Sequence, residues 1–306
     1  MNAKVSVLIP ARGKCEYLIE TLKSIQESTI EPYEILLIDD GINSDTLKFL
    51  KENLLKEFNL LIHKNRGYGL VAALNTGLEL ANGEIIARID SDDLFTKERL
   101  SKQLEVLNSS AEIVVVGANC IYIDENSLDT GFSNYPVGRL NNLPDFAKKC
   151  ILAHPSTIFV KEVALEIGGY RSVFKWNGTD IAEDFDFWLR MAKKGSLYNV
   201  PDFLIKYRQH SGQLSTQNNF GQLFGSIYIS VVNKSNDPNP PFIDIHDSNR
   251  SDIKKLIRYI SKRGGNAYTM ILFLRLVQMK FNKKKLIGSQ IHRICNRTCS
   301  YLSELV

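Results

Sequence analysis

The sequence predicts an α/β fold, a doubly wound and mostly parallel sheet followed by a helical C-terminal extension. Three observations lead there. Short β-branched apolar runs alternate with stretches whose leucines recur at helical spacing. The turns between them are short, as parallel strands with crossover helices require. Two of the runs stop at carboxylates, and open sheets of this kind bind ligands outside the carboxyl ends of their strands.

Taken in order, Val5 to Pro10 is a strand that Pro10 should end, and Leu18, Leu22 and Ile25 mark a helix. Glu34 to Ile38 is a second buried strand stopping at Asp39-Asp40-Gly41. Ser44 is the expected cap of a helix carrying Leu47, Leu50 and Leu54. Leu60 to His63 gives a third strand, and the Gly-rich turn from Asn65 to Gly69 opens a helix with Leu74, Leu78 and Ala81 on one side. Ile85 to Ile89 is the fourth strand. Leu100, Leu104 and Leu107 mark another helix, and Ile113 to Val116 another strand. From Asn119 to Arg208 the pattern is less regular, with strands at Ser156–Val160 and Leu204–Arg208 around a helix at Phe185–Lys194. Ser235 to Pro241 reads as a linker. Three helical segments follow, Ser251–Lys262, Ala267–Phe281 and Lys284–Leu302. The expected division is a catalytic domain over residues 1–215, with a nucleotide-binding half to about 117 and an acceptor half from 118. Residues 216–306 form a basic helical region.

Composition excludes some classes. With 306 residues, 44% hydrophobic and 24% charged, the chain has the make-up of a globular protein. No apolar run reaches the roughly 20 residues needed to span a bilayer. No signal peptide is expected, since the sequence enters its first strand almost at once. The five cysteines are scattered without zinc-type pairs, so a reducing cytoplasm is expected. Net charge is +4, yet beyond residue 250 twelve basic residues face only Asp252 and Glu304, so the upstream chain is net acidic. Ile253, Leu256, Ile257 and Ile260 form an apolar stripe among those lysines and arginines. Such basic amphipathic helices fit the anionic inner face of the cytoplasmic membrane, or pack on the catalytic domain or a second copy in a homo-oligomer. No stacking motif or recognition module points to nucleic acid.

The chemistry gathers at Asp90-Ser91-Asp92-Asp93. Three acids placed close together repel unless a cation sits among them, and hard oxygen ligands select Mg²⁺ or Mn²⁺. The alternative is a surface turn in which Asp93 or Thr96 caps the next helix. Asp39-Asp40-Gly41, taken alone, reads as a turn. If the two acidic ends share a rim, one cluster can recognise a base or ribose while the other holds metal. Asp184 precedes Phe185, Phe187 and Trp188, so a carboxylate at a helix start beside aromatic side chains is available as a general base. Asp186 is explained by the helix macrodipole. His210 follows the last strand as a candidate metal ligand or phosphate partner.

Together these pieces resemble glycosyltransferase family 2, from about Val5 to His210. The resemblance is carried by Val5 to Pro10, Ile38-Asp39-Asp40-Gly41, Asn75-Thr76-Gly77, Asn82-Gly83-Glu84 and Ile89 to Asp93. His154-Pro155-Ser156-Thr157, Gly168-Gly169-Tyr170, Glu183-Asp184 with Trp188 and Arg190, and Tyr207-Arg208-Gln209-His210 complete it. It implies the GT-A fold and an inverting, metal-dependent transfer of one sugar from a nucleotide-sugar, UDP-linked, to a glycan or lipid-linked acceptor in surface-polysaccharide synthesis. It also implies roles. Asp40 would accept from the base, Asp90 would contact the nucleoside, and Pro10 and Ser91 line that side. Asp92 and His210 would hold Mn²⁺ or Mg²⁺, and Asp184 would take the acceptor proton. Asp93, Glu183, Trp188 and Arg208 would support them. Two departures matter. Family members often place Thr-Tyr-Asn or similar after the first strand, where this chain has Ala11-Arg12-Gly13-Lys14 and Arg12 is available to the base or the phosphates. The acidic turn normally continues Gly-Ser, where Ile42 replaces the serine. A sugar nucleotidyltransferase should show Gly-x-Gly-x-Arg after the first strand, which is absent. A sugar-nucleotide-binding scaffold would have no need of a base at Asp184.

Overall fold

The computed structural model describes residues 3–140, 151–210, 219–235, 240–245 and 259. Its first half alternates strand and helix: β1 (Val5–Gly13), α1 (Leu18–Gln26), β2 (Glu34–Ile42), α2 (Ser44–Asn53), β3 (Leu60–Lys64), α3 (Leu70–Leu80), β4 (Ile85–Arg88), β5 (Leu94–Phe95) and α4 (Arg99–Asn108). Then come β6 (Ile113–Ile123), β7 (Asp129–Phe132), β8 (Gly138–Arg139), β9 (Ile158–Val160), α5 (Lys161–Glu166), β10 (Phe174–Trp176), β11 (Thr179–Asp180), α6 (Glu183–Met191), β12 (Ser196–Arg208), α7 (Asn219–Lys234) and β13 (Ile243–Ile245).

Two compact units result. The first holds residues 1–172 and 183–217; the second holds 173–182 with 218–306. Residues 173–182, which the sequence reading leaves inside the catalytic domain, group with the second unit. The first unit is built on a ten-stranded sheet in the order β3-β2-β1-β4-β9-β6-β12-β5, with β7 beside β6 and β8 beside β12. β3, β2, β1 and β4 run parallel, as do β6 and β12, and β9 runs antiparallel between β4 and β6. Apolar side chains cover both faces. Val7, Ile9, Leu22, Leu37 and Leu100 pack on one; Leu8, Leu36, Leu74, Ile86 and Phe187 pack on the other. Burial on both faces is why these strands read as unbroken apolar runs.

Several expectations shift, each for a local reason. β1 continues through Pro10 to Gly13. The Leu8 carbonyl accepts from Ile89 on the β4 side, so Pro10, two residues on, turns its missing N–H to that same side, where pairing with β4 has ended at Leu8. Asn43, one residue before Ser44, caps α2 by accepting from the Asp45 N–H at 2.9 Å. β6 and β12 are far longer than their apolar cores, because each supplies the other's ladder over most of its length. A 3₁₀ turn at His154–Ser156 takes the start of the expected Ser156 strand.

The second unit joins α7 to a small sheet in the order β11-β10-β13. Trp176 stacks on Phe224 at 5.5 Å, and Gly221 leaves room for the indole, since a Cβ there would lie 2.9 Å from it. The basic stripes beyond residue 250 lie outside the described residues, apart from Tyr259. No described helix is long and apolar enough to cross a membrane.

Candidate active site

The site lies at the carboxyl ends of the sheet strands in the first unit. β4 delivers its chain into Asp90-Ser91-Asp92-Asp93, and one oxygen from each aspartate lies within 4.8 Å of the others. Asp93 is fully buried. Its Oδ1 accepts from the Arg208 N–H at 2.8 Å, and its Oδ2 has no hydrogen-bond partner among the described residues. Burial, then the charges of Asp92 and Asp90, push the Asp93 carboxyl well above its ordinary range. Burial also raises Asp90; Arg88 opposes the rise, while Asp92 and Asp184 add to it. Helix capping does not explain the cluster: α4 starts with no side-chain cap, and Asp93 is spent across the sheet on Arg208. Three hard oxygen donors around an unpaired buried oxygen suit Mg²⁺ or Mn²⁺.

Two arginines hold this cluster in place. Arg88, the buried last residue of β4, forks onto both oxygens of Asp90, with Nη1 to Oδ2 at 2.8 Å. Arg208, at the end of β12, donates from Nε to the Asp92 carbonyl at 2.9 Å and from Nη2 to Glu20 at 2.9 Å. Its Nη1 donates to the Asp124 carbonyl and to Ser127. Its guanidinium also covers the Tyr17 ring at 4.1 Å, and that ring packs against His210. His210 Nε2 lies 2.9 Å from Asp92 Oδ2, so Asp92 and His210 stand together as the sequence places them. Ser91 is half-buried in the same turn, and Pro10 is buried in β1 beside Ile38.

The acidic end of β2 is built differently. Asp39 accepts from the Gly41 and Ile42 N–H groups at 2.9 and 2.7 Å and from Lys64. Burial works against its charge, but those donors outweigh burial and hold the carboxyl below its usual range. Asp39 is a turn residue. Asp40 Oδ1 accepts from Asn65 and from the Gly69 N–H, and its Oδ2 lies 3.9 Å from Arg12. Arg12 in turn lies over the ring of Tyr68 and bonds its hydroxyl.

Asp184 sits in the first turn of α6, close enough to Asp90 and Tyr170 to raise both. Ala182, just before α6, takes a left-handed φ of +56° that costs an L-residue about 1–2 kcal/mol. Phe185, Phe187 and Trp188 are core residues, and Trp188 packs edge-on against His154, Phe159 and Phe187. Glu183 lies 3.9 Å from His154 Nδ1, and His154 Nε2 is 3.0 Å from the Tyr170 hydroxyl. Burial, helped by Arg88, drops the His154 imidazole well below its ordinary value, so it is neutral. Asp186 is fully buried in the first turn of α6, as the dipole reading expects, and is also paired with Arg171 and Arg190. Arg190 donates to the carbonyls of Ile167 and Gly169, and Asn75 bonds both the N–H and the carbonyl of Tyr170. The Gly168-Gly169-Tyr170 turn is thereby fixed behind α6.

Sequence reasoning passed over Arg88, Tyr68, Asn65 and the His154–Tyr170 pair as site residues. Arg88 carried a signal, a charge inside an otherwise apolar run. Asn65 and Tyr68 carried none beyond their Gly-rich turn.

Comparison with known proteins fits this geometry. The family model described as "Glycosyl transferase family 2" matches residues 6–167. The chain belongs to that family. A family 2 relative, the amylovoran biosynthesis glycosyltransferase AmsE of Erwinia amylovora, is 31% identical over 231 residues, covering 73% of this chain and 83% of AmsE. The fold is that of S. aureus TarS 1–349 in complex with UDP-GlcNAc, with a TM-score of 0.61 at 16% identity over 90% of this chain and 81% of that one. It is also similar to the mannosyltransferase PcManGT from Pyrobaculum calidifontis in complex with GDP-Man and Mn²⁺. That TM-score is 0.57 at 14% identity, over 98% and 81% of the two chains. The protein is thus a glycosyltransferase with the GT-A fold. Asp184 and His210 lie beyond the matched family 2 segment.

Proposed function

We propose that this protein transfers one sugar, with inversion, from a nucleotide-sugar to a hydroxyl of a glycan or lipid-linked acceptor in surface-polysaccharide synthesis. The observation that carries the reading is the Asp90–Asp92–Asp93 cluster, with its unpartnered buried oxygen, inside the electrostatic reach of Asp184. The nucleotide-sugars in the TarS and PcManGT complexes and the pathway in the name of AmsE support it. A UDP-linked donor is the version we adopt.

Asp92, Asp93 and His210 would hold Mn²⁺ or Mg²⁺, and a bound cation would supply positive charge to the donor's diphosphate. Asp90, steadied by Arg88, would face the nucleoside, and Asp40 the base. Arg208 keeps the Asp92-Asp93 turn in place through one backbone carbonyl and one carboxylate. Asp184 takes the acceptor proton. In a single in-line displacement the acceptor oxygen bonds to the anomeric carbon, its proton passes to the Asp184 carboxylate, and the bond from that carbon to the diphosphate oxygen breaks. Glu183 and His154 line the wall behind Asp184, and Trp188 packs behind them.

The test is nucleoside diphosphate release from a donor panel by wild type and by Asp184→Asn, with the anomeric configuration of the product read by NMR. Equal release from both proteins would remove Asp184 from the mechanism, and a retained anomer would overturn the displacement. The basic stretch beyond residue 250 we assign to an anionic membrane surface on its charge alone. Failure to float with anionic liposomes at low salt would overturn that assignment.

A further inference from the structure

We infer that Tyr68, backed by Arg12, is the platform on which the donor's base lies. The inference rests on the donor reading above and deepens it. Tyr68 is 73% exposed, more than any other large hydrophobic side chain among the described residues. An aromatic ring left in water is ordinary on a loose loop, but this loop is tied at every step. The Gly67 N–H donates to Asn65 Oδ1 at 3.0 Å, the Gly69 N–H to Asp40 Oδ1 at 2.9 Å, and the Arg66 N–H to Thr76 Oγ1 at 3.2 Å. Asn65 itself donates to Asp40. The ring is therefore presented on a fixed frame, with the Arg12 guanidinium 4.6 Å from its centroid and hydrogen-bonded to its hydroxyl.

The position suits a nucleobase. Arg12 and Asp40 lie in the last residues of β1 and β2, and Tyr68 follows β3. These three strands are neighbours in the sheet, and the carboxylate cluster follows β4, the next strand along. A nucleoside diphosphate laid along this rim, with its diphosphate at the cluster, carries its base over Tyr68. There a flat ring, a cation and the Asp40 carboxylate converge. Stacking on such a ring tolerates any base, and the hydrogen-bonding edge is left to Asp40.

The experiment is calorimetric titration of UDP, GDP and pyrophosphate into wild type, Tyr68→Ala, Tyr68→Phe and Arg12→Ala, all in Mn²⁺. Tyr68→Ala should weaken the preferred nucleoside diphosphate about ten-fold or more, and Tyr68→Phe should stay within about three-fold of wild type. Arg12→Ala should fall between them, and pyrophosphate should bind all four proteins alike. Unchanged nucleotide affinity in Tyr68→Ala would overturn the platform. So would an equal loss for pyrophosphate, which would mean that the loop had moved. Wild type binding pyrophosphate but neither nucleotide would also overturn it. Binding of none of the three would remove the donor reading itself, and the platform with it.

Discussion

The carboxylates that end β2 and β4 look alike in sequence and are opposite in physics. At β2, Asp39 meets two backbone N–H groups and a lysine, and its charge is stabilised. At β4, Asp93 has one backbone donor and an oxygen with no partner among the described residues, while neighbouring carboxylates raise it and Asp90 further. The first is a satisfied turn. The second is a group of like charges with an unpartnered buried oxygen, held in place by Arg88 and Arg208, and it fits the cation we propose there.

Substitutions can break that comparison, and activity should respond most strongly. Asp184→Asn is expected to lower turnover about 10²–10⁴-fold, the usual share of a general base, with the melting temperature held. Asp39→Ala should do the reverse. It removes the acceptor of two backbone N–H groups, the buried one of Ile42 and the more exposed one of Gly41, and should cost about 1–3 kcal/mol in denaturant melts, with little loss of turnover per folded molecule. Gly169→Ala should cost a similar amount, because φ is +66° and the new Cβ would lie 2.4 Å from Asn75 Oδ1.

Smaller effects follow behind α6 and on the surface. The folded-state value of His154 is depressed, so below about pH 6.5 the unfolded chain takes up a proton that the folded chain refuses. Stability should therefore fall as pH drops below that value and stay level above it, and His154→Gln should flatten the slope. Lys64→Ala removes an ion pair whose lysine is 73% exposed, and should change stability by no more than about 1 kcal/mol.

The fold was legible where information is local. The apolar runs of β1 to β4 and the leucine spacing of α1 to α4 announce themselves within windows of ten residues. β6, β9 and β12 were visible as strands but not in their extents, which are fixed by one another across more than forty residues of sequence. The site divides in the same way. Asp90, Asp92 and Asp93 fall within four residues of the chain and could be read directly, and His210 lies beside Asp92. Arg208 could be named but not explained, since its partners Glu20, Asp92, Asp124 and Ser127 are scattered along the sequence. Asp186 was read only in part for a related reason: its place in the first turn of α6 is local, but Arg171, the far half of its clamp, lies in the stretch between α5 and β10. Tyr68 became visible only once its exposure was known.

Titrating Mn²⁺ into wild type and Asp92→Asn, while following both binding heat and melting temperature, tests the central claim most directly. The unbalanced carboxylates should make wild type bind the ion and melt higher with it. Asp92→Asn, with one like charge removed, should melt at least as high as wild type without metal and gain nothing from it. Equal binding by the two proteins, or a metal-free Asp92→Asn that melts well below wild type, would contradict the account.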